Sequence, residues 1–118
     1  MSSSSSTIEQ LPANIPRLEP NGSNWAIFLM RFRQAMQATR RWGYFDGTTP
    51  CPVPKRNNKM MDNEKEDIAK WEHKDLITCY LLSQCLPDTT ALRLGNIATV
   101  KECWMKVSTE FTAKSAYA

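Results

Sequence analysis

Apolar residues recur along this chain at helical rather than strand spacing. Trp25, Phe28, Leu29, Phe32 and Met36 fall on one stripe, the pattern of a helix with a single buried face. Ser23 or Asn24 stands at its start, where a short polar side chain accepts a hydrogen bond from an otherwise unpaired backbone N–H. A long helix is expected from Asp62 or Asn63, with Glu64, Glu66 and Asp67 complementing the positive end of the helix dipole. It runs through Trp71, Leu76, Tyr80 and Leu82 to Leu86, where Pro87 stops it. Apolar positions around Tyr80, Leu81 and Leu82 are wider than one stripe, so this part is expected to sit centrally in a bundle or to face a partner. Asp88 or Thr89 starts a short helix that reaches Leu94 and ends at Gly95-Asn96, a pair suited to a left-handed cap. Thr99 and Glu102 match a capping box, and Cys103, Trp104, Val107 and Phe111 supply the inner face of a last helix.

The intervals between these segments read as connections. Gly43 and Gly47 bracket a turn after Trp42, and both are expected in backbone conformations that a side chain disfavours. Pro50, Pro52 and Pro54 remove backbone donors and make residues 48–59 a long loop. Ahead of Leu18, the serine run and Pro12 and Pro16 read as a flexible arm. The predicted fold is all-α, a single compact bundle of about four to five helices. A flexible arm over residues 1–17 precedes a helical domain over 18–112, and a tail over 113–118 follows it.

Size and charge narrow the function classes. A chain of 118 residues with 42% hydrophobic content is one domain with enough apolar surface for a sizeable core. The formal net charge is only +3, with both signs interleaved. The basic residues Arg31, Arg33, Arg40 and Arg41 read as a solvated helix face, and Arg40 and Arg41 are the candidates for a weak, sequence-indifferent contact to RNA. Neither a secretory leader nor an apolar run of bilayer length is present, and Ser2 excludes N-myristoylation, so a cytoplasmic location without a membrane partner is expected. Cys51, Cys79, Cys85 and Cys103 are then expected as reduced thiols that pack as small hydrophobes.

Candidate chemistry is sparse. The cysteines are not paired at zinc-ligand spacing, His73 stands alone, and no glycine-rich phosphate loop occurs. No catalytic residue, metal, cofactor or small-molecule substrate is therefore expected, and the chain is read as a non-enzyme. The tryptophans admit two roles, core anchors or an exposed platform for stacked bases. Helical spacing favours the core for Trp25, Trp71 and Trp104, which are expected to meet in one cluster, and the core is also the preferred place for Trp42, although it stands beside Arg40 and Arg41 and before a turn.

Four groups of residues carry a more specific likeness. They are Leu18, Gly22, Asn24 and Trp25; the run Trp42-Gly43-Tyr44-Phe45-Asp46-Gly47-Thr48; the long helix from Trp71 past Leu82; and Ala98-Thr99-Val100-Lys101-Glu102-Cys103-Trp104. In this order they resemble the N-terminal half of the capsid region of Gag from copia-type LTR retrotransposons, over about Leu18 to Phe111. The resemblance implies a capsid N-terminal-type helical domain that packs against copies of itself, or against other Gag chains, in a virus-like particle enclosing RNA. It implies structural importance for the quoted residues and catalysis by none. Phe28 stands where a second tryptophan is typical and Arg41 where a leucine is common, and the zinc knuckle with which many Gag proteins hold RNA is absent. These departures keep open a helical adaptor or domesticated Gag fragment that modulates assembly of a full-length Gag, and, more weakly, a nucleic-acid-binding module.

Overall fold

A computed structural model describes residues 14–53, 61–97 and 99–116, and within them the chain is all-helical. Five helices follow one another: α1 (Trp25–Ala38), α2 (Trp42–Asp46), α3 (Asp62–Ser83), α4 (Asp88–Arg93) and α5 (Val100–Ala116). Most of the expected arm, the middle of the proline-rich connection, Ala98 and the last two residues lie outside the described part.

Helix α5 is the element on which the others meet, since α1, α2 and α3 all pack against it. Its inner face is Val100, Cys103, Trp104, Val107 and Phe111, all buried, which extends the predicted face by one turn toward the N-terminus. The opposing face of α1 buries Trp25, Phe28, Phe32 and Met36, as the stripe requires, with Leu29 half-buried at its edge. Trp104 lies where these faces cross. Its ring is 5.8 Å from Trp25, 5.7 Å from Phe32, 5.5 Å from Trp42 and 5.4 Å from Phe45, stacked or tilted on α1 and edge-on to α2.

Trp71 does not join this cluster. It is half-buried on α3, packs at 5.6 Å against Tyr44, and its indole N–H donates to the Thr49 carbonyl at 2.8 Å. The expected meeting of Trp25, Trp71 and Trp104 therefore holds for the first and last only. Trp71 has a different task, holding the segment after α2 against the long helix.

The turn around Trp42 also differs from expectation. Residues 42–46 form a helical turn, and Gly43 lies inside it with ordinary helical geometry. Gly43 is needed for space, because a β-carbon there would run into the side chain of Thr49, whose backbone N–H donates to the Gly43 carbonyl at 3.0 Å. Gly47 alone behaves as foreseen, capping α2 in the left-handed region at φ 86°. Gly95 is not left-handed; that conformation falls instead to Gly22 and to Arg40, at φ 61° between α1 and α2. The Thr99 hydroxyl accepts the Glu102 N–H at 3.3 Å, as a capping box requires. Helix α3 ends at Ser83, a few residues short of Leu86, and α5 continues to Ala116, so the boundary expected at residue 112 falls inside a helix.

Two sets of substitutions test this packing. Trp104→Ala and Trp25→Ala should each cost about 3–5 kcal/mol in urea unfolding, as for a large side chain removed from a close-packed interior. Trp71→Ala should cost distinctly less, since part of its surface already meets water. Equal losses at all three positions would contradict the division between cluster and clamp. Gly22→Ala should destabilise, because the residue is left-handed at φ 77° and a β-carbon would lie 2.9 Å from Lys114 Cβ, whereas Gly95→Ala, where a β-carbon would meet only ordinary contacts, 3.5 Å from the Leu92 carbonyl oxygen, should be neutral or stabilising.

Candidate functional site

The residues that the sequence marks as structural converge on tying the chain together. Leu18 is buried and its N–H donates to the Cys85 carbonyl at 2.8 Å, fastening the approach to α1 onto the end of α3. Asn24, expected to cap α1, does not do so. Its side chain turns backwards, with Oδ1 accepting the Glu19 N–H and Nδ2 donating to the Arg17 carbonyl, both at 2.8 Å. Asn24 thereby closes a loop around Gly22, and Gly22 lies directly against α5. Lys114 completes the attachment by donating to the Pro20 carbonyl at 2.9 Å. The Asp46 carboxylate accepts from the backbone and hydroxyl of Thr48, which hold its pKa below the usual range and fix the turn beside Gly47.

A buried carboxylate that sequence reasoning missed sits on the α3–α5 seam. Asp75 is 6% exposed, and its Oδ1 accepts the N–H of Val100, the first residue of α5, at 3.3 Å. Burial raises its pKa, and the Val100 hydrogen bond offsets part of that rise. A signal for it exists in the chain: Asp75 shares the inner stripe of α3 with Thr78 and Leu82, where an isolated charge stands out.

Arg40 and Arg41, the candidates for RNA contact, line a depression of about 460 Å³ together with Tyr44 from α2 and His73, Lys74 and Ile77 from α3. Sequence distance hides this grouping of basic side chains. Arg41 is half-buried, and desolvation lowers its pKa.

Several large apolar side chains remain at the surface. Leu76 and Tyr80 rim a groove between α3 and α4 that is floored by Leu82, Leu86, Ala91, Leu94 and Cys103. Met105, on the outer face of α5, lies in a second groove on the other side of α4, where Arg93 and Lys114 both bind Glu110 at 2.9 Å and hold its carboxylate below the usual range. Leu76 is 66% exposed and Leu92, on α4, 82% exposed. Among the described residues, no group of three His, Cys, Asp or Glu side chains is disposed to hold a metal, and no helix is long and apolar enough to cross a membrane. Comparison with family profiles, curated proteins and solved structures finds no match to this chain. The likeness to copia-type Gag thus rests on the sequence motifs alone.

The pH dependence of stability isolates the role of Asp75. Its folded carboxyl binds a proton more tightly than the unfolded one, so its contribution favours folding at low pH and declines as pH rises from the ordinary carboxylate range through the raised value. Asp75→Asn keeps an oxygen for Val100 and removes that decline. Relative to the parent, it should gain stability as pH rises above about 4, the ordinary aspartate value, measured by urea midpoints. Asp75→Ala should instead lose about 1–3 kcal/mol by leaving the Val100 N–H unpaired. A parent and an Asn variant with parallel pH profiles would show that the carboxyl titrates normally.

Proposed function

We propose that this chain is a structural, capsid-type Gag module that works by weak association with copies of itself, as in a retrotransposon-derived particle. The supporting observation is the apolar surface on three consecutive helices: Leu76 and Tyr80 on α3, Leu92 on α4 and Met105 on α5, spread around two grooves. The interior does not need these side chains, since the aromatic cluster is already closed by α1, α2 and α5. Large exposed apolar groups beside grooves of a small domain suit a protein interface. The motif resemblance makes a second copy, rather than an unrelated protein, the preferred occupant. Shell contacts are individually weak and gain strength by repetition.

Sedimentation velocity over a concentration series decides between this reading and a monomeric adaptor. The chain should be mostly monomeric at micromolar concentration and associate toward millimolar concentration, or when copies are fused in tandem. Leu76→Ser with Tyr80→Ser should weaken association at least tenfold without lowering the melting temperature. Absence of association in both formats, or association indifferent to this double substitution, would favour the adaptor that acts in mixed complexes.

A second reading, direct contact with RNA, is favoured by the gathering of Arg40, Arg41, His73 and Lys74 around one depression. Binding to a single-stranded oligoribonucleotide should then weaken steeply with salt, and Arg40→Ala with Lys74→Ala should flatten the salt slope by about 1.4, at roughly 0.7 per lost phosphate contact. A slope unchanged by the pair would exclude this depression as the binding surface.

A further inference from the structure

Cys79 on α3 and Cys103 on α5 face each other across the seam already joined by Asp75 and Val100. Their sulfurs are 3.8 Å apart, and both residues are free thiols. Cys79 lies four residues beyond Asp75 and Cys103 three beyond Val100, so the thiol pair continues the same two facing stripes by one helical turn. The pair also lines the groove rimmed by Leu76 and Tyr80. Cys79 is half-buried there, whereas Cys103 is 1% exposed, so a reagent that enters the groove meets Cys79 first. Cys85 points elsewhere, with its thiol against the Leu82 carbonyl at 3.1 Å, and Cys51 follows Pro50 on the loop after α2.

We propose that Cys79 and Cys103 form an oxidisable dithiol, in which Cys79 is the attacking thiol and Cys103 the resolving one, closing a reversible disulfide that staples α3 to α5. The oxidant is a low-molecular-weight disulfide of the glutathione type. The Cys79 thiolate attacks one sulfur of glutathione disulfide, forming a mixed disulfide and expelling one glutathione thiolate, which takes up the proton lost by Cys79. The Cys103 thiolate then attacks Cys79 Sγ, forming the Cys79–Cys103 bond and expelling the second glutathione thiolate, which takes up the proton lost by Cys103. Two protein thiols are oxidised and one glutathione disulfide is reduced to two glutathiones. The sulfurs must approach from 3.8 Å to about 2.05 Å, a displacement that side-chain rotation and a small shift of α5 supply. Burial pushes both thiols up, Cys103 to about 12, so thiolate is scarce and the exchange is slow at neutral pH and faster as pH rises. The pair therefore responds to sustained oxidation and not to brief excursions. Because the bond would lie at the groove floor, it would stiffen the apolar surface that Leu76 and Tyr80 present.

The test treats the native chain with glutathione disulfide at about pH 8, near the reference thiol pKa. Thiols are then blocked, and tryptic fragments are sequenced by mass spectrometry. The expected product is a monomer two hydrogens lighter, with the peptide carrying Cys103 joined to that carrying Cys79 and Cys85, and fragmentation placing the bond at Cys79. Cys85→Ser should still form it, Cys79→Ser should remain fully reduced at Cys103, and Cys103→Ser should stop at a mixed disulfide on Cys79. The oxidised parent should melt on the order of 10 °C higher, and a dithiol reductant should restore the original transition. The proposal is overturned if the parent retains glutathione on Cys79 without closure, if Cys79 stays unreacted while the chain is folded, or if the bond forms at Cys85, at Cys51 or between chains. Peptide mapping of the parent decides the matter even where a serine variant fails to fold.

Discussion

The indole of Trp104 is the group on which the rest of the structure depends. It is reached by Trp25 and Phe32 from α1 and by Trp42 and Phe45 from α2, so the relative placement of the first two helices is defined through a side chain of the last. Aromatic rings at these separations bury large areas and prefer particular offset or edge-on angles, which makes the cluster directional where an aliphatic core would not be. The contact is also long-range in sequence. Helices α1 and α2 touch directly through the edge of Phe45 on Phe32, but the indole of α5 is what closes the remaining side of both rings. The left-handed Arg40 between the two helices sets the angle at which they present their rings.

Around this cluster the polar groups act as fasteners. Leu18 to Cys85, Lys114 to Pro20 and Asp75 to Val100 join segments far apart in the chain, each through a backbone hydrogen-bonding group. The exposed pair Arg17 and Asp88, at 2.7 Å, follows the same route as the Leu18 bond but contributes little, because both side chains are well hydrated. Asp75 is the exception in kind. It is a carboxylate that burial disfavours, retained where it meets the first N–H of α5, and it fixes where that helix begins relative to α3.

Much of this is legible in the chain itself. The α1 and α5 stripes and the all-helical class follow from periodicity, because a helix must bury one face and the apolar residues of each segment line up on one. What stays hidden is long-range. Asn24 reads as an N-cap because caps are local, yet its partners at Arg17 and Glu19 exist only because the chain doubles back ahead of α1. Gly43 reads as a conformational glycine, and its real constraint is the Thr49 side chain that returns over it. Trp71 has the spacing of a core residue and is drawn to the segment after α2 by one hydrogen bond from its indole. Arg40, Arg41, His73 and Lys74 come from separate parts of the chain and share a depression only after α3 has packed. In each case local pattern identifies the residue and tertiary geometry decides its task.

The same geometry separates the molecule's aromatic interior from the polar groups of the α3–α5 seam. Its interior is occupied by close-packed rings, which leave little room for a polar cavity in which a substrate could be oriented. The buried carboxylate Asp75 and the facing thiols of Cys79 and Cys103 lie on one helix seam. Part of the exposed apolar surface, Leu76 and Tyr80, rims the groove beside that seam. Helix α4 contributes no ring to the Trp104 cluster and packs on the core through Thr90, Ala91 and Leu94 instead. The seam is nonetheless tied to the core, because Cys103 sits next to Trp104 on α5 and is itself buried, so any change in the spacing of α3 and α5 reaches the aromatic cluster through that helix.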